Sequence, residues 1–136
     1  MVGNNSFKVG LYIRLSRDDG NVESDSIVSQ RSLLNQYIKE NNYCVVDEYV
    51  DDGFSGTSFD RPAFIRMMND IEIGKINMII TKDMSRLGRD YIGTGNLIEK
   101  YFPEHNVRYI AVTDNIDTFL DNSNNDIAPF KAIMND

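Results

Sequence analysis

The chain has 136 residues, 41% apolar and 26% charged, a balance typical of one folded domain. No apolar run is long enough to cross a membrane, there is no signal peptide, and the single cysteine, Cys44, excludes an internal disulfide, so we expect a soluble cytoplasmic protein. The net charge of −7 argues against tight binding of nucleic acid by this chain, because phosphate neutralisation requires Lys and Arg.

Strand-like and helix-like periodicities alternate along the chain, and turn residues mark each change. In chain order, the pattern predicts a strand at 7–14, a polar loop at 16–25, a helix from an N-cap at Ser26 to about Asn42, a strand at 45–50, a loop at 53–59, a helix capped by Asp60 and ended by Gly74, a strand at 76–81, a charged turn at 82–90, a helix at 91–102 followed by Pro103, and a strand at 107–112.

After the fourth strand the chain is rich in Asn and Asp, and we expect a mobile loop at about 114–128 and a short helix at 129–134. The whole of 1–136 is predicted to form one α/β domain, which we expect to be a piece of a longer protein. Strands alternating with helices predict a mainly parallel central sheet of four or five strands with helices on both faces.

Serines and arginines follow three of the predicted strands, at the edge where an open parallel sheet places its active site. They are Arg14, Ser16 and Arg17 after the first strand, Ser55 and Arg61 after the second, and Ser85, Arg86 and Arg89 after the third. Guanidinium groups stabilise the charge of a phosphodiester in its transition state, and a serine hydroxyl can act as the nucleophile. His105, the only histidine, precedes the fourth strand, which excludes a Ser-His triad. The pattern indicates phosphoryl transfer.

Five segments, in this order, resemble motifs of the serine recombinases, the resolvase and invertase family. They are Tyr12–Ser16 (Y-x-R-x-S), Ser26–Gln30 (S-[LI]-x-x-Q), Asp52–Ser58 (D-x-x-S-G-x-S), Asp60–Phe64 (D-R-P-x-[FL]) and Ser85–Asp90 ([DS]-R-L-G-R-[DS]). The chain therefore resembles the N-terminal catalytic domain of that family. Two features are similar to its large, transposon- and phage-type members: the long loop at 17–25, and Ser85 where many small resolvases carry Asp.

The resemblance implies that Ser16 attacks a DNA phosphodiester, forming a 5′-phosphoserine and freeing a 3′-hydroxyl before strand exchange and religation. Arg14, Arg86 and Arg89 would surround the phosphate. The supporting residues would be Tyr12, Gln30, Asp52, Ser55, Arg61 and Ser85. It also implies that no metal, other cofactor or small-molecule substrate is needed, that DNA is the partner, and that a homodimer and homotetramer form in the active complex, in the cytoplasm or nucleoid of a bacterium. The isolated chain is expected to be inactive and to bind DNA weakly.

Two other classes of protein fit the same predicted sheet. The first is a receiver-type signalling domain with a magnesium pocket of Asp18, Asp19 and Asp52 beside Thr81 and Lys82, and the second is a magnesium nuclease built on Asp51, Asp52 and Asp83. In a receiver the Thr and Lys lie on successive strands, whereas here they are adjacent, and the arginines would have no role. Sensitivity to a chelator separates both classes from the recombinase.

Overall fold

The computed structural model describes residues 6–19 and 22–122, which build one five-stranded sheet in the order β2-β1-β3-β4-β5. The strands are β1 (Lys8–Leu15), β2 (Cys44–Asp52), β3 (Met78–Thr81), β4 (Arg108–Ala111) and β5 (Ile116–Asp117). The first four are parallel, and β5 pairs antiparallel with β4. The predicted mainly parallel sheet of four or five strands is therefore confirmed.

Helices connect the parallel strands, as right-handed crossovers between parallel strands require. They are α1 (Ile27–Asn41), α2 (Pro62–Glu72), α3 (Met84–Leu87), α4 (Tyr91–Asn96), α5 (Phe102–Glu104) and α6 (Thr118–Asn122), with a π-helical turn at Leu97–Tyr101 between α4 and α5 and 3₁₀ turns at Arg17–Asp19 and Glu23–Asp25. The predicted N-cap of α1 is present: the Ser26 side chain accepts from the Ser29 amide.

Two apolar clusters lie on opposite faces of the sheet, as β1 illustrates. Val9, Leu11 and Ile13 pack against α1 on one face, whereas Tyr12 packs with residues of α2 on the other. This separation follows from the period of two along a strand. Both faces are therefore covered by helices, as predicted.

Several predicted element boundaries differ from the structure, among them the following three. The charged turn at 82–90 contains the short helix α3, because the Asp83 side chain accepts from the Arg86 amide and caps it. Pro103 lies inside α5 rather than after the helix, two residues after the π-helical turn at Leu97–Tyr101. The second strand runs two residues further than predicted, to Asp52.

The loop expected at about 114–128 is replaced, over 116–122, by β5 and α6. Ile116 is 1% exposed and pairs with Ala111, and the Tyr109 amide donates to the Thr118 hydroxyl, so apolar burial and a strand partner order this polar segment. The remainder of that loop and the helix expected at 129–134 lie outside the described residues.

Candidate active site

The serines and arginines predicted to form a site follow β1, β2 and β3, which are neighbours in the sheet. All three strands are parallel, so their carboxyl ends meet at one edge. A cleft of about 360 Å³ opens at this edge between α3 and the segment after β4, and Ser85, Arg89 and Asp114 are among the residues that line it.

Ser16 lies directly after β1 and is 6% exposed. The 3₁₀ turn that follows folds the chain back, so that the Asp19 carboxylate faces the start of the turn. Asp19 Oδ2 accepts from the Ser16 amide at 2.6 Å and from Ser16 Oγ at 3.0 Å. The hydroxyl predicted to be the nucleophile is thus oriented by a carboxylate three residues further along the chain.

Arg86 and Arg89 reach the same carboxylate from the third strand end. Arg86 Nη2 and Arg89 Nη2 donate to Asp19 Oδ1 at 2.9 and 2.6 Å, and Arg86 Nη1 lies 3.3 Å from Oδ2. The side chain of Arg86 is 3% exposed, whereas that of Arg89 is 36% exposed. Burial alone would raise the pKa of Asp19, but the hydrogen bonds from Arg86 and Ser16 outweigh it and hold that pKa well below its usual range.

Arg14 is fully buried behind this group, and its guanidinium is held by main-chain carbonyls. It donates to the carbonyls of Arg86, Phe54 and Ser85 at 3.1, 3.0 and 2.6 Å. Burial, together with Arg86 and two further arginines, lowers the pKa of Arg14 to about 10. Arg14 therefore holds the segments after β2 and β3 against β1 and adds positive charge close to Arg86 and Asp19.

Arg61 and Tyr12 form a second buried layer. Arg61 is 1% exposed and donates to the carbonyls of Ser58 and Leu87 at 2.7 and 2.8 Å and to Tyr12 Oη at 2.8 Å. The Tyr12 hydroxyl in turn donates to Asp51 Oδ2 at 2.7 Å, and burial raises the pKa of Tyr12, which keeps it protonated. Both predicted supporting residues thus lie under the site and tie its loops together.

The start of α2 is capped by a carboxylate that the sequence analysis did not assign to it. Asp60 was predicted to be the cap, but the N-cap residue is Arg61, and the amides of Ala63 and Phe64 donate to Asp51 at 2.8 and 2.9 Å. Asp51 is 2% exposed, whereas Asp52, the predicted site residue, is exposed. Adjacent strand residues point to opposite faces, so only one of this pair can face α2.

The other predicted supporting residues contact the site mainly through the backbone. Gln30 is fully buried, and its Nε2 donates to the carbonyl of Arg14 at 3.0 Å. The Ser55 hydroxyl is 2.8 Å from that of Thr57 within their own loop. The Ser85 hydroxyl donates to Asp83, while its carbonyl accepts from Arg14. The hydrogen bonds of the Ser55 hydroxyl thus stay within its own loop.

Three of the acidic residues of the two alternative classes are engaged in other roles. Asp51 caps α2, Asp83 caps α3, and Asp19 pairs with the arginines. Over the described residues, no group of three His, Cys, Asp or Glu side chains could hold a metal ion. Within the same part of the chain, no helix is long and apolar enough to cross a membrane.

At the strand ends of a mainly parallel α/β sheet, a serine hydroxyl and two arginines thus converge on one anionic group, a combination that can also bind a phosphate. The sequence matches the family described as "Resolvase, N terminal domain" over residues 9–135. The chain belongs to this resolvase N-terminal domain family. The resemblance found in the five sequence motifs is thereby confirmed.

Solved structures and a curated relative agree with this assignment. The fold is similar to the N-terminal catalytic domain of TP901-1 integrase, with a TM-score of 0.75, 32% identity and 82% of each chain covered. A resolvase family site-specific recombinase from Streptococcus pneumoniae has a TM-score of 0.68 and 32% identity, covering 82% of this chain and 75% of that one. A putative DNA recombinase of Bacillus subtilis (strain 168) is 35% identical over 81 residues, which span 60% of this chain but 16% of that protein.

Proposed function

We propose that the chain is the catalytic domain of a site-specific DNA recombinase in which Ser16 is the nucleophile. The observation that carries this proposal is the convergence of Ser16 Oγ, Arg86 and Arg89 on the two oxygens of one carboxylate. A hydroxyl and two guanidinium groups that bind one small anion can also bind the non-bridging oxygens of a phosphodiester.

In the proposed reaction, Ser16 Oγ forms a bond to phosphorus while the bond from phosphorus to the 3′ oxygen breaks. The products are a 5′-phosphoserine and a free 3′-hydroxyl, so one proton passes in net from Ser16 to the leaving oxygen. Arg86 and Arg89 bind the non-bridging oxygens, and Arg14 contributes charge from beneath while it holds the loops that carry them. Religation reverses these steps after strand exchange, and the chemistry requires no metal or other cofactor.

The supporting residues have separate proposed roles. Arg61, with Tyr12, fixes the start of α2 and the loops around it, and Gln30 fixes the strand end that precedes Ser16. Ser85 acts through its main-chain carbonyl on Arg14. Asp52 and Ser55 are exposed or half-buried at the edge of the site, where we propose that they contact DNA.

We further propose that DNA binding and assembly into a homodimer and homotetramer belong to the full-length protein. With a net charge of −7, this chain repels a polyanion at long range, and the site arginines cannot reverse that repulsion. At ~150 mM salt we expect its affinity for duplex DNA to be no tighter than ordinary non-specific binding, with Kd of roughly 10⁻⁴ to 10⁻⁶ M. Sub-micromolar, sequence-specific binding by this chain alone would refute that expectation.

The test of the nucleophile is trapping of a covalent protein–DNA adduct by the full-length protein on its recombination site carrying a nick. Ser16→Ala should abolish the adduct with folding intact, whereas Ser55→Ala should at most slow its formation, because Ser55 is proposed to contact DNA without forming the bond to phosphorus. If the second variant loses the adduct and the first keeps it, the nucleophile is misassigned.

The same assay tests the role of the arginines. Arg86→Lys and Arg89→Lys should each slow adduct formation strongly, because lysine cannot replace the bidentate fork of a guanidinium. Adduct formation should proceed unchanged in excess EDTA. A strict magnesium requirement for cleavage would contradict the proposal and favour a nuclease.

A further inference from the structure

Over the described part of the chain, Asp19 is the carboxylate bound by Ser16, Arg86 and Arg89, the three groups that the proposed reaction places on the reacting phosphate. Its side chain is 2% exposed. Oδ1 accepts from Arg86 and Arg89, and Oδ2 accepts from both the amide and the hydroxyl of Ser16. In the sequence, Asp19 is a candidate only for the metal pocket of a receiver-type domain, because no local pattern connects it to arginines 67 and 70 positions away.

This arrangement has the recognition chemistry of a phosphodiester. The two non-bridging oxygens of a phosphodiester share one negative charge and accept hydrogen bonds from guanidinium forks and main-chain amides. The Asp19 carboxylate presents two oxygens and one negative charge to donors of the same kind. We propose that Asp19 stands in for the scissile phosphate, and that the phosphate displaces it from Arg86, Arg89 and Ser16 when DNA binds; this inference rests on the proposed function.

Electrostatics explains why a stand-in anion is needed. Arg14, Arg61, Arg86 and Arg89 lie close enough together for the other three to lower the pKa of Arg14. Clustered buried cations destabilise a domain unless an anion compensates them. Asp19 supplies such a charge, with Asp83 Oδ1 3.5 Å from Arg86 Nε, and it holds Ser16, Arg86 and Arg89 together.

Electrostatics also requires that the two anions exclude each other. A carboxylate and a phosphodiester within about 4 Å repel with unscreened Coulomb energies far above thermal energy in a buried site. Asp19 lies at the end of a single 3₁₀ turn. The main chain of this turn is fixed by a hydrogen bond of 3.2 Å from the Asp19 amide to the Ser16 carbonyl. Rotation of its side chain therefore releases the arginines without disturbing β1.

The inference is tested on the 136-residue chain with inorganic phosphate as the probe, titrated by NMR observation of arginine Nε–H signals. Asp19→Asn keeps the shape of the side chain and removes the competing charge, so phosphate should bind about tenfold more tightly or better. Asp19→Glu restores the charge and should return the weak affinity of the unmodified chain. A residue that merely stabilised the site would have the opposite effect, because its loss would weaken phosphate binding.

Glu40→Gln is the matched control for net charge. Glu40 is exposed near the end of α1, close to the amino end of β2, and it therefore lies at the edge of the sheet opposite the site. Glu40→Gln should leave the affinity for phosphate unchanged. In the double variant, Arg89→Ala added to Asp19→Asn should remove the gain in affinity. A gain shared by Glu40→Gln, or one that persists without Arg89, would overturn the inference, as would an unchanged or weaker affinity in folded Asp19→Asn.

A measurement on the unmodified chain avoids dependence on the folding of any variant. Saturating phosphate should shift the ¹³C signal of the Asp19 carboxyl together with the Nε–H signals of Arg86 and Arg89. Arginine shifts with an unmoved carboxyl signal would refute displacement. This outcome is separable from that of the proposed function. If Ser16→Ala still forms the DNA adduct while the phosphate results are as expected, the assignment of Ser16 as the nucleophile is wrong, but the displacement of Asp19 by phosphate is upheld.

Discussion

Asp51 and Asp52 are adjacent carboxylates at the end of β2, and only Asp51 makes contacts that stabilise the fold. Asp51 accepts the amides of Ala63 and Phe64 and the hydroxyl of Tyr12, whereas Asp52 is exposed. We therefore predict that Asp51→Ala strongly destabilises the domain and that Asp52→Ala, the matched control, does not.

The size of the effect follows from the contacts that are lost. Loss of a helix cap costs about 0.5–2 kcal/mol, and a buried hydroxyl left without its acceptor costs about 1–3 kcal/mol. Asp51→Ala should then lower the free energy of unfolding by about 3 kcal/mol, a large share of the stability of a domain of this size. The exposed carboxylate of Asp52 should contribute no more than about 0.5 kcal/mol.

The assay is urea denaturation followed by far-ultraviolet circular dichroism, chosen because the chain has no tryptophan to report by fluorescence. Asp51→Ala should shift the midpoint to lower urea with an unchanged slope. Asp51→Asn keeps one acceptor oxygen and should fall between Asp51→Ala and the unmodified chain. Equal stabilities for Asp51→Ala and Asp52→Ala would show that the cap on α2 is not the contact that matters, and would refute this reasoning.

Three further outcomes follow from other contacts. Gly56→Ala places a Cβ 2.7 Å from Nη2 of the buried Arg14, and denaturation should show a loss of about 1–3 kcal/mol from overpacking. The pKa of Asp19 is lower in the folded than in the unfolded chain, so its carboxylate stabilises the fold above about pH 4, and this contribution is lost as the pH falls towards the folded pKa. Asp19→Asn lacks this titration. Its free energy of unfolding should therefore fall less than that of the unmodified chain between about pH 5 and about pH 3 in the same denaturation assay. Asp117→Ala removes two hydrogen bonds from Arg108, at 2.9 and 2.6 Å, and should cost about 1–3 kcal/mol by the same denaturation assay if β5 is anchored as described.

The sequence by itself determined the order of strands and helices, because periodicity and turn residues act over a few positions. Ser26 caps α1 as predicted, and the apolar run at 76–81 contains β3. That the serines and arginines meet at one edge of the sheet could also be predicted, since parallel strands bring their carboxyl ends together there. The motifs around Ser16 and Arg86 indicated the family directly.

Only the tertiary structure decided which carboxylates matter. Local sequence patterns predicted Asp60 as the cap of α2, but the helix is capped by Asp51, 12 and 13 residues before the two amides whose hydrogen bonds it accepts. Arg14 was expected at the phosphate, yet its donors are taken by carbonyls about 40 and 70 residues away. The partners of a buried charged group are set by which groups the fold brings within hydrogen-bond distance. Because these partners are far apart along the chain, short-range sequence patterns do not predict them.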